Sequence, residues 1–431
     1  MAQFNTSNNA YLISNKTLFE VVQIADQYGD LVGAANPSGM AVDSFGRARV
    51  SQPVTLFDSF HRYNQNERWV TSNTANTDVV YDSNASTISL NIDAQSGSKI
   101  VRETKRVFVY QPGKSLQIFN TFVMNPAKDN LVQRVGYFNT QNGVFFQQTG
   151  NTAGFVLRSN VSGSVNNNVV AQSSWNIDTL DGNGPSKLTL DTTKAQIAFF
   201  DIEWLGVGSV RCGFVINGKL IHCHTFKHSN IIDSVYMTTA MLPVRYEIEN
   251  LAATASPSTL KQICSAVISE GGYEPRGEPR SYGLALDNQR VLTTLATDYP
   301  VISLRLNPDF IDDAVVIRDI AVLAISSANY KVSLVREATI AGAVWANVSG
   351  TSSVQYNSNN SATMSGGTKV FQDYFASTNQ GTGSINIGPD IFKYQLERDA
   401  LANTPYTFTL AIQASSNSSN VVASMAWEEV S

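Results

Sequence analysis

The chain has 431 residues, of which 43% are hydrophobic and only 15% charged, with a net charge of -5. That length predicts two domains rather than one, and the charge fraction lies well below the roughly 25% usual in soluble domains. A weakly acidic, charge-poor chain offers no basic stripe to a nucleic-acid backbone, and no stretch approaches the ~20 continuous apolar residues of a membrane helix.

In chain order, "MAQFNTSNNAYLISNK" lacks the basic start and apolar run of a secretory signal, which predicts synthesis in a cytosol without export. Residues 1–45 read as an extended arm that docks on a neighbouring subunit, since they are polar with scattered Phe, Leu and Tyr. Within the arm, "TLFEVVQIADQYGD" (17–30) is a candidate short helix ending near Gly29. From about residue 40 the pattern becomes strand, turn, strand. "SKIVRETKRVFVY" and "LQIFNTFVM" alternate, and "GYFNTQNGVFFQQ" turns at Asn142-Gly143, a pair that accepts the positive φ angles of a hairpin turn. "QIAFFDIEWL", "RCGFVINGKLIHC", "VRYEIEN" and "QICSAVISEGG" continue the series.

"EGGYEPRGEPRSYG" (270–283) then brings two prolines, four glycines and mixed charges, the chemistry of a linker. Strands resume with "PVISLRL", "AVVIRDIAVLAI", "NYKVSLVRE", "YTFTLAIQAS" and "VVASMAWEEV". Short strands separated by Asn/Ser/Thr/Gly loops argue for sandwiches or jelly rolls, not for an α/β fold. The expected organisation is all-β: an arm at 1–45, a large β-sandwich at 46–272, a linker at 273–283 and a smaller β-sandwich at 284–431.

The densest chemistry lies in "SVRCGFVINGKLIHCHTF" (209–226). A two-residue turn at Asn217-Gly218 sets Cys212 opposite Cys223, Phe214 opposite Ile221 and Arg211 opposite His224. Alternation then places Val210, Cys212, Phe214, Ile216, Ile221 and Cys223 on a core face. Arg211, Gly213, Val215, Leu220, His222, His224 and Phe226 take the other. Two buried thiols are favoured over a disulfide, since three cysteines in a cytosolic chain make no disulfide framework. His222 and His224 point the same way, but a zinc site needs three or four ligands, and Arg211 repels a cation. No metal and no cofactor are expected.

On the preceding strand, Asp201 and Glu203 project from the same polar face, ~7 Å apart by strand geometry. That spacing falls within the ~5–9.5 Å of glycosidase carboxylate pairs. The competing reading is a solvated face on which the acids neutralise Arg211 and the histidines. The candidate ligand-binding set is therefore Asp201, Glu203, Arg211, His222 and His224, with no residue assigned a catalytic role. "DGNGPS" (181–186), with Asp178 nearby, lacks a full calcium-loop series and reads as a turn.

Several segments carry a resemblance. "DSFGRARVSQPVTLFDS" (43–59), "QPGKS" (111–115), "QRVGYFNTQNGVFFQ" (133–147), "VLRSNVSG" (156–163) and "AQSSWNIDTLDGNGPSKLTLD" (171–191) are among them. So are "AFFDIEWLGVGSVRCGFVINGKLIHCHTFKHSN" (198–230), "VYMTTAMLPVRYEIEN" (235–250) and "QICSAVISEGG" (262–272). Together they resemble, in order, a family of structural proteins of tailed bacteriophages, marine and cyanobacterial phages above all. The resemblance implies a lectin-like, concanavalin-type jelly roll in the first domain and a place in the virion, capsid-, neck- or tail-associated. Copies of the chain, other virion proteins and host-surface polysaccharide are the implied partners, with no nucleic acid and no membrane insertion. It supplies no catalytic residues. Laminarinase-type glucanases share such a jelly roll and carry an E-x-D-x-x-E strand. Here the stretch reads Phe199-Phe200-Asp201-Ile202-Glu203-Trp204-Leu205-Gly206, with no carboxylate in the third place. A glycan-degrading enzyme using Asp201 and Glu203 is the alternative to a structural, non-enzymatic role.

Overall fold

The computed structural model describes residues 52–274, 276–377 and 394–430, together with the backbone of the strands Ile24–Ala25, Leu31–Val32 and Thr382–Asn386. The arm expected at 1–45 otherwise lies outside the described residues. Ile24–Ala25 pairs antiparallel with Leu31–Val32, so the helix expected over 17–30 gives way to a strand at 24–25. The β-branched run Val21, Val22 and Ile24 favours that outcome.

From residue 53 onward the described chain is all-β, with only two 3-10 turns, Gln172–Ser174 and Pro308–Phe310. The first body is a jelly-roll sandwich of two antiparallel sheets. One runs, edge to edge, Asn166–Ala171, Thr152–Ser159, Gly143–Thr149, Leu131–Phe138, Val244–Asn250, Lys99–Thr104 and Trp69–Asn73. The other runs Lys219–Phe226, Val210–Ile216, Gln196–Ile202, Leu116–Val123, Ser258–Ser269, Thr87–Ile92 and Thr77–Asp82, with Val54–Ser59 also paired to Ser258–Ser269.

Alternate residues of both sheets meet between them. Phe146 stands against Phe122, Phe155, Trp175 and Phe214, with ring centroids 5.3–6.5 Å apart. Aromatic clusters of this kind combine large buried area with favourable edge and offset geometry. They hold a sandwich together without disulfides, and all three cysteines are free.

The second body is a smaller sandwich. Its five-stranded sheet contains Glu278–Gly283, Ser419–Val430, Ala314–Ala324 and Thr382–Asn386, with Arg290–Leu292 beside Ser419–Val430. Its six-stranded sheet runs Ala346–Asn347, Val354–Asn357, Tyr299–Leu306, Phe408–Ala414, Ala328–Arg336 and Thr368–Ser377. A separate apolar core, from Leu284 to Trp427, fills it. Glu278–Gly283, expected within the linker, is instead a strand laddered to the C-terminal strand from Glu278↔Glu429 to Gly283↔Ser424. Pro279 is compatible with this strand because proline, excluded from central strands, is tolerated on an edge, which this strand occupies.

The two bodies meet through buried charges. Arg398, 1% exposed, donates from Nη1 to the Thr104 carbonyl oxygen at 2.6 Å and from Nη2 to Asp312 Oδ1 at 2.9 Å. The same Nη2 lies 3.7 Å from Glu103, which Arg245 approaches at 3.3 Å from the other side. Arg106 and Lys105 reach across to Glu397 and Glu337, each at 2.7 Å. Gln395 Nε2 donates to the Val107 carbonyl oxygen at 3.0 Å, and the Arg398 amide to that of Lys105, also at 3.0 Å. Val107, Val109 and Ala314 form a small apolar cluster at the same junction.

Removing one partner of such a network strands the others without solvent. Arg398→Met is therefore expected to cost about 3–5 kcal/mol in chemical denaturation, well beyond the effect of an exposed arginine.

Candidate functional site

The hairpin of residues 210–226 forms at Asn217-Gly218 as the sequence predicts, with Asn217 at φ 52° and Gly218 at φ 75°. Phe214 faces Ile221 as expected. Beyond that pair the register slips: Gly213 pairs with His222 and Cys212 with His224, leaving Cys223 as the unopposed residue of a β-bulge. Cys212 does not face Cys223, and Arg211 faces Thr225 instead of His224.

The chain comes closest at Gly213, where the register shifts, and only glycine fits there. A Cβ there would lie 2.1 Å from the Ile221 carbonyl oxygen and 2.7 Å from the Phe199 ring. A glycine inside a strand was the available signal, since it marks bulges and close backbone approach. The extra residue inverts which face each later side chain takes. His224 and Phe226, expected on the polar face, instead lie on the core side with Cys212 and Val210, exposed by only 6% and 4%.

His224 packs edge-on against Phe226, with ring centroids 4.5 Å apart, and its Nδ1 accepts from the Asn176 amide at 3.4 Å. Burial, helped by His222, lowers its pKa to about 4. His222 stays on the polar face, where Nε2 lies 2.8 Å from Thr225 Oγ1 and 3.2 Å from the His224 carbonyl oxygen. Burial lowers its pKa too. The pair is thus split between two faces, and among the described residues no three His, Cys, Asp or Glu side chains cluster as a metal site.

The acids diverge as well. Asp201 and Arg211 are cross-strand partners, joined at 2.5 Å. Burial raises the Asp201 pKa despite the guanidinium. The strand ends at Ile202, so Glu203 stands beyond the ladder. Its Oε2 accepts from the Ser209 amide at 3.3 Å and hydroxyl at 3.2 Å, which closes the 203–209 turn. One carboxylate is held by an arginine and the other organises a loop. The cysteines Cys212 and Cys223 are buried free thiols, both with pKa values raised by burial. Asp178 accepts from the Leu180 and Ser186 amides, and so organises the 178–186 loop as a turn.

A largely buried charge array, outside the set expected from the sequence, lies on the outer face of the seven-stranded sheet. Arg134 Nη1 reaches Glu247 at 2.5 Å and Glu249 at 3.2 Å, and Lys99 reaches the same two acids at 3.1 and 2.7 Å. Arg245 closes on Glu247 at 2.8 Å and passes the chain of charges to Glu103 and the junction. Burial alone would raise the Glu247 pKa, but Arg245, Arg134 and Lys99 together hold it well below the carboxylate range. The signal was present in "VRYEIEN", where Arg245, Glu247 and Glu249 occupy alternate positions.

No protein-family model matches the chain, and no curated protein matches it. Among solved structures it is similar to a Bacillus licheniformis beta-glucanase, with 13% identity over 49% of this chain and 96% of that one, at a TM-score of 0.33. It is also similar to the carbohydrate recognition domain of Emp47p, with 11% identity over 53% and 99% of the two chains, at 0.31. A third is a carbohydrate esterase from the Shiga toxin-encoding bacteriophage phi24B, with 13% identity over 51% and 100%, at 0.31. Likenesses of this degree carry no argument about function.

The histidine geometry has a consequence for stability. A histidine whose folded pKa lies below its unfolded value of about 6.5 binds its proton more readily when unfolded, so stability falls as pH drops between the two values. The melting temperature is expected to decline from pH 6.5 toward pH 4, and His224→Phe to flatten that slope, as measured by thermal scans across the range.

Proposed function

We propose that the chain is a non-enzymatic structural protein of a tailed-phage virion. In this reading it is made in the host cytoplasm, assembles with copies of itself and other virion proteins, and presents a carbohydrate-binding surface to the host. The observation that carries the reading is the charged junction between the two sandwiches. Inter-domain contacts within a chain are commonly small and polar and permit relative motion. Here Arg398, Glu397 and Glu103, each 1% exposed, lie inside the contact and fix one sandwich against the other. A rigid two-body block suits a part that repeats in an assembly. The ordered resemblance of residues 43–272 to phage structural proteins supports the same reading.

Hydrolysis finds less support. Asp201 pairs with Arg211 while Glu203 closes the 203–209 turn, so the two acids serve separate local contacts and do not form a facing carboxylate pair.

Antibody raised against the purified chain is expected to label intact particles in electron micrographs, and its absence from purified particles would defeat the virion assignment. Incubation with host polysaccharide is expected to release no new reducing ends. Release that disappears in Asp201→Asn would establish the enzyme instead.

A further inference from the structure

A cavity of about 710 Å³ opens at the edge of the eight-stranded sheet, away from the hairpin and from the charged junction. Three segments wall it: the loop of Phe60, His61, Arg62 and Tyr63, the turn from Tyr81 to Ser86, and Ile263 with Cys264. Ile263 and Cys264 fall where Ser258–Ser269 slips register against Leu116–Val123, between Gln262 and Ser265, and such bulges re-aim side chains.

The walls are tied before any ligand arrives. Tyr81 Oη donates to the Arg62 carbonyl oxygen at 2.6 Å. Asp82 Oδ1 accepts from the Asn84 and Ala85 amides, at 2.9 and 3.1 Å. Ser59 Oγ takes hydrogen bonds from Trp69 and Asn66 at the foot of the loop. Preorganised walls lower the entropy cost of binding.

The lining is unusual in two respects. Phe60 is 60% exposed and Tyr63 is 80% exposed, an arrangement that leaves two large rings in water beside a concavity. His61 is 1% exposed, yet neither ring nitrogen makes a hydrogen bond of normal geometry. Burial and the nearby Arg102 lower its pKa to about 4, against the opposing effect of the Asn64 backbone, and keep the ring neutral. Among the lining residues Arg62 is the one charge, stacked 5.2 Å from the Tyr63 ring centroid. It makes no ion pair among the described residues, and no carboxylate lines the cavity to oppose it.

We infer that this cavity binds a saccharide unit carrying an acidic group, whose C–H face packs on Phe60 and Tyr63 and whose acid pairs with Arg62. The inference rests on the carbohydrate-binding part of the function proposed above and gives it a place. The volume falls within the usual range for small-ligand sites, and exposed apolar rings with a few convergent polar groups are the usual lining. Arginine is suited to carboxylate and phosphate through its forked donors. Cys264 supplies an exposed handle on the wall.

The test uses the full chain on an array of neutral and acidic oligosaccharides, followed by calorimetric titration with a trigalacturonate and with its neutral galactose counterpart. Trigalacturonate is expected to bind more tightly than the neutral sugar and to slow alkylation of Cys264 by a maleimide. Phe60→Ala with Tyr63→Ala is expected to weaken it at least tenfold at an unchanged melting temperature, since both rings are exposed. Arg62→Gln is expected to abolish the preference for the acidic sugar. Acidic-sugar binding unaltered in Phe60→Ala with Tyr63→Ala would overturn this site and leave the carbohydrate-binding reading standing. Preference for the neutral sugar would overturn the role of Arg62. A wild-type chain that binds nothing on the array and neither trisaccharide would overturn both the site and that reading.

Discussion

The chain from residue 53 onward hangs on one arginine between three oxygens. Arg398 bonds the Thr104 carbonyl, holds Asp312 and faces Glu103, whose other side meets Arg245. Burying these groups is costly unless each finds its partner, and the cost falls on any arrangement that separates them. Burial raises the Glu103 pKa, and Arg398 and Arg245 oppose that rise. A docking that separated these partners would leave buried charges unmet. Greasy contact alone, such as that of Val107, Val109 and Ala314, tolerates sliding, whereas a forked guanidinium does not.

From Arg245 the same chain of charges runs across the outer face of the seven-stranded sheet, through Glu247 to Arg134 and Lys99. The sheet that carries one body's aromatic core on its inner face thus carries on its outer face the ion pairs that reach the other body. Period-two alternation makes both possible in the same strands: in Val244–Asn250, Tyr246 and Ile248 enter the core while Arg245, Glu247 and Glu249 turn outward.

Local features of this architecture were legible and distant ones were not. The Asn217-Gly218 turn and the inward Phe214 and Ile221 follow from short-range rules, and the structure has them. The positions of His224 and Phe226 do not, because one bulge at Cys223 inverts every face beyond it. Beside that bulge the Phe199 ring and the Ile221 carbonyl leave no room for a Cβ at Gly213, a contact set by neighbouring strands and not by the local sequence. Pro279 shows the same limit, since a proline is compatible with a strand only when that strand lies at an edge, and edges are a property of the assembled sheet. The junction was beyond reach for a plainer reason. Arg106 and Glu397 are separated by 291 positions, and nothing in either neighbourhood announces the other.

Charge placement links these points to the composition. The chain has 30 basic and 35 acidic side chains. Arg102, Glu103, Lys105, Arg245, Glu247, Arg290, Glu397, Arg398 and Glu429 are all buried. These are exceptions to the rule that charges stay in water, and most of them belong to the junction network or to its extension across the seven-stranded sheet. Charged residues are depleted at the centres of protein interfaces, because desolvating them opposes association. The centre of the junction between the sandwiches is charged all the same, and each charge there meets a counter-charge, so docking desolvates pairs and not lone ions.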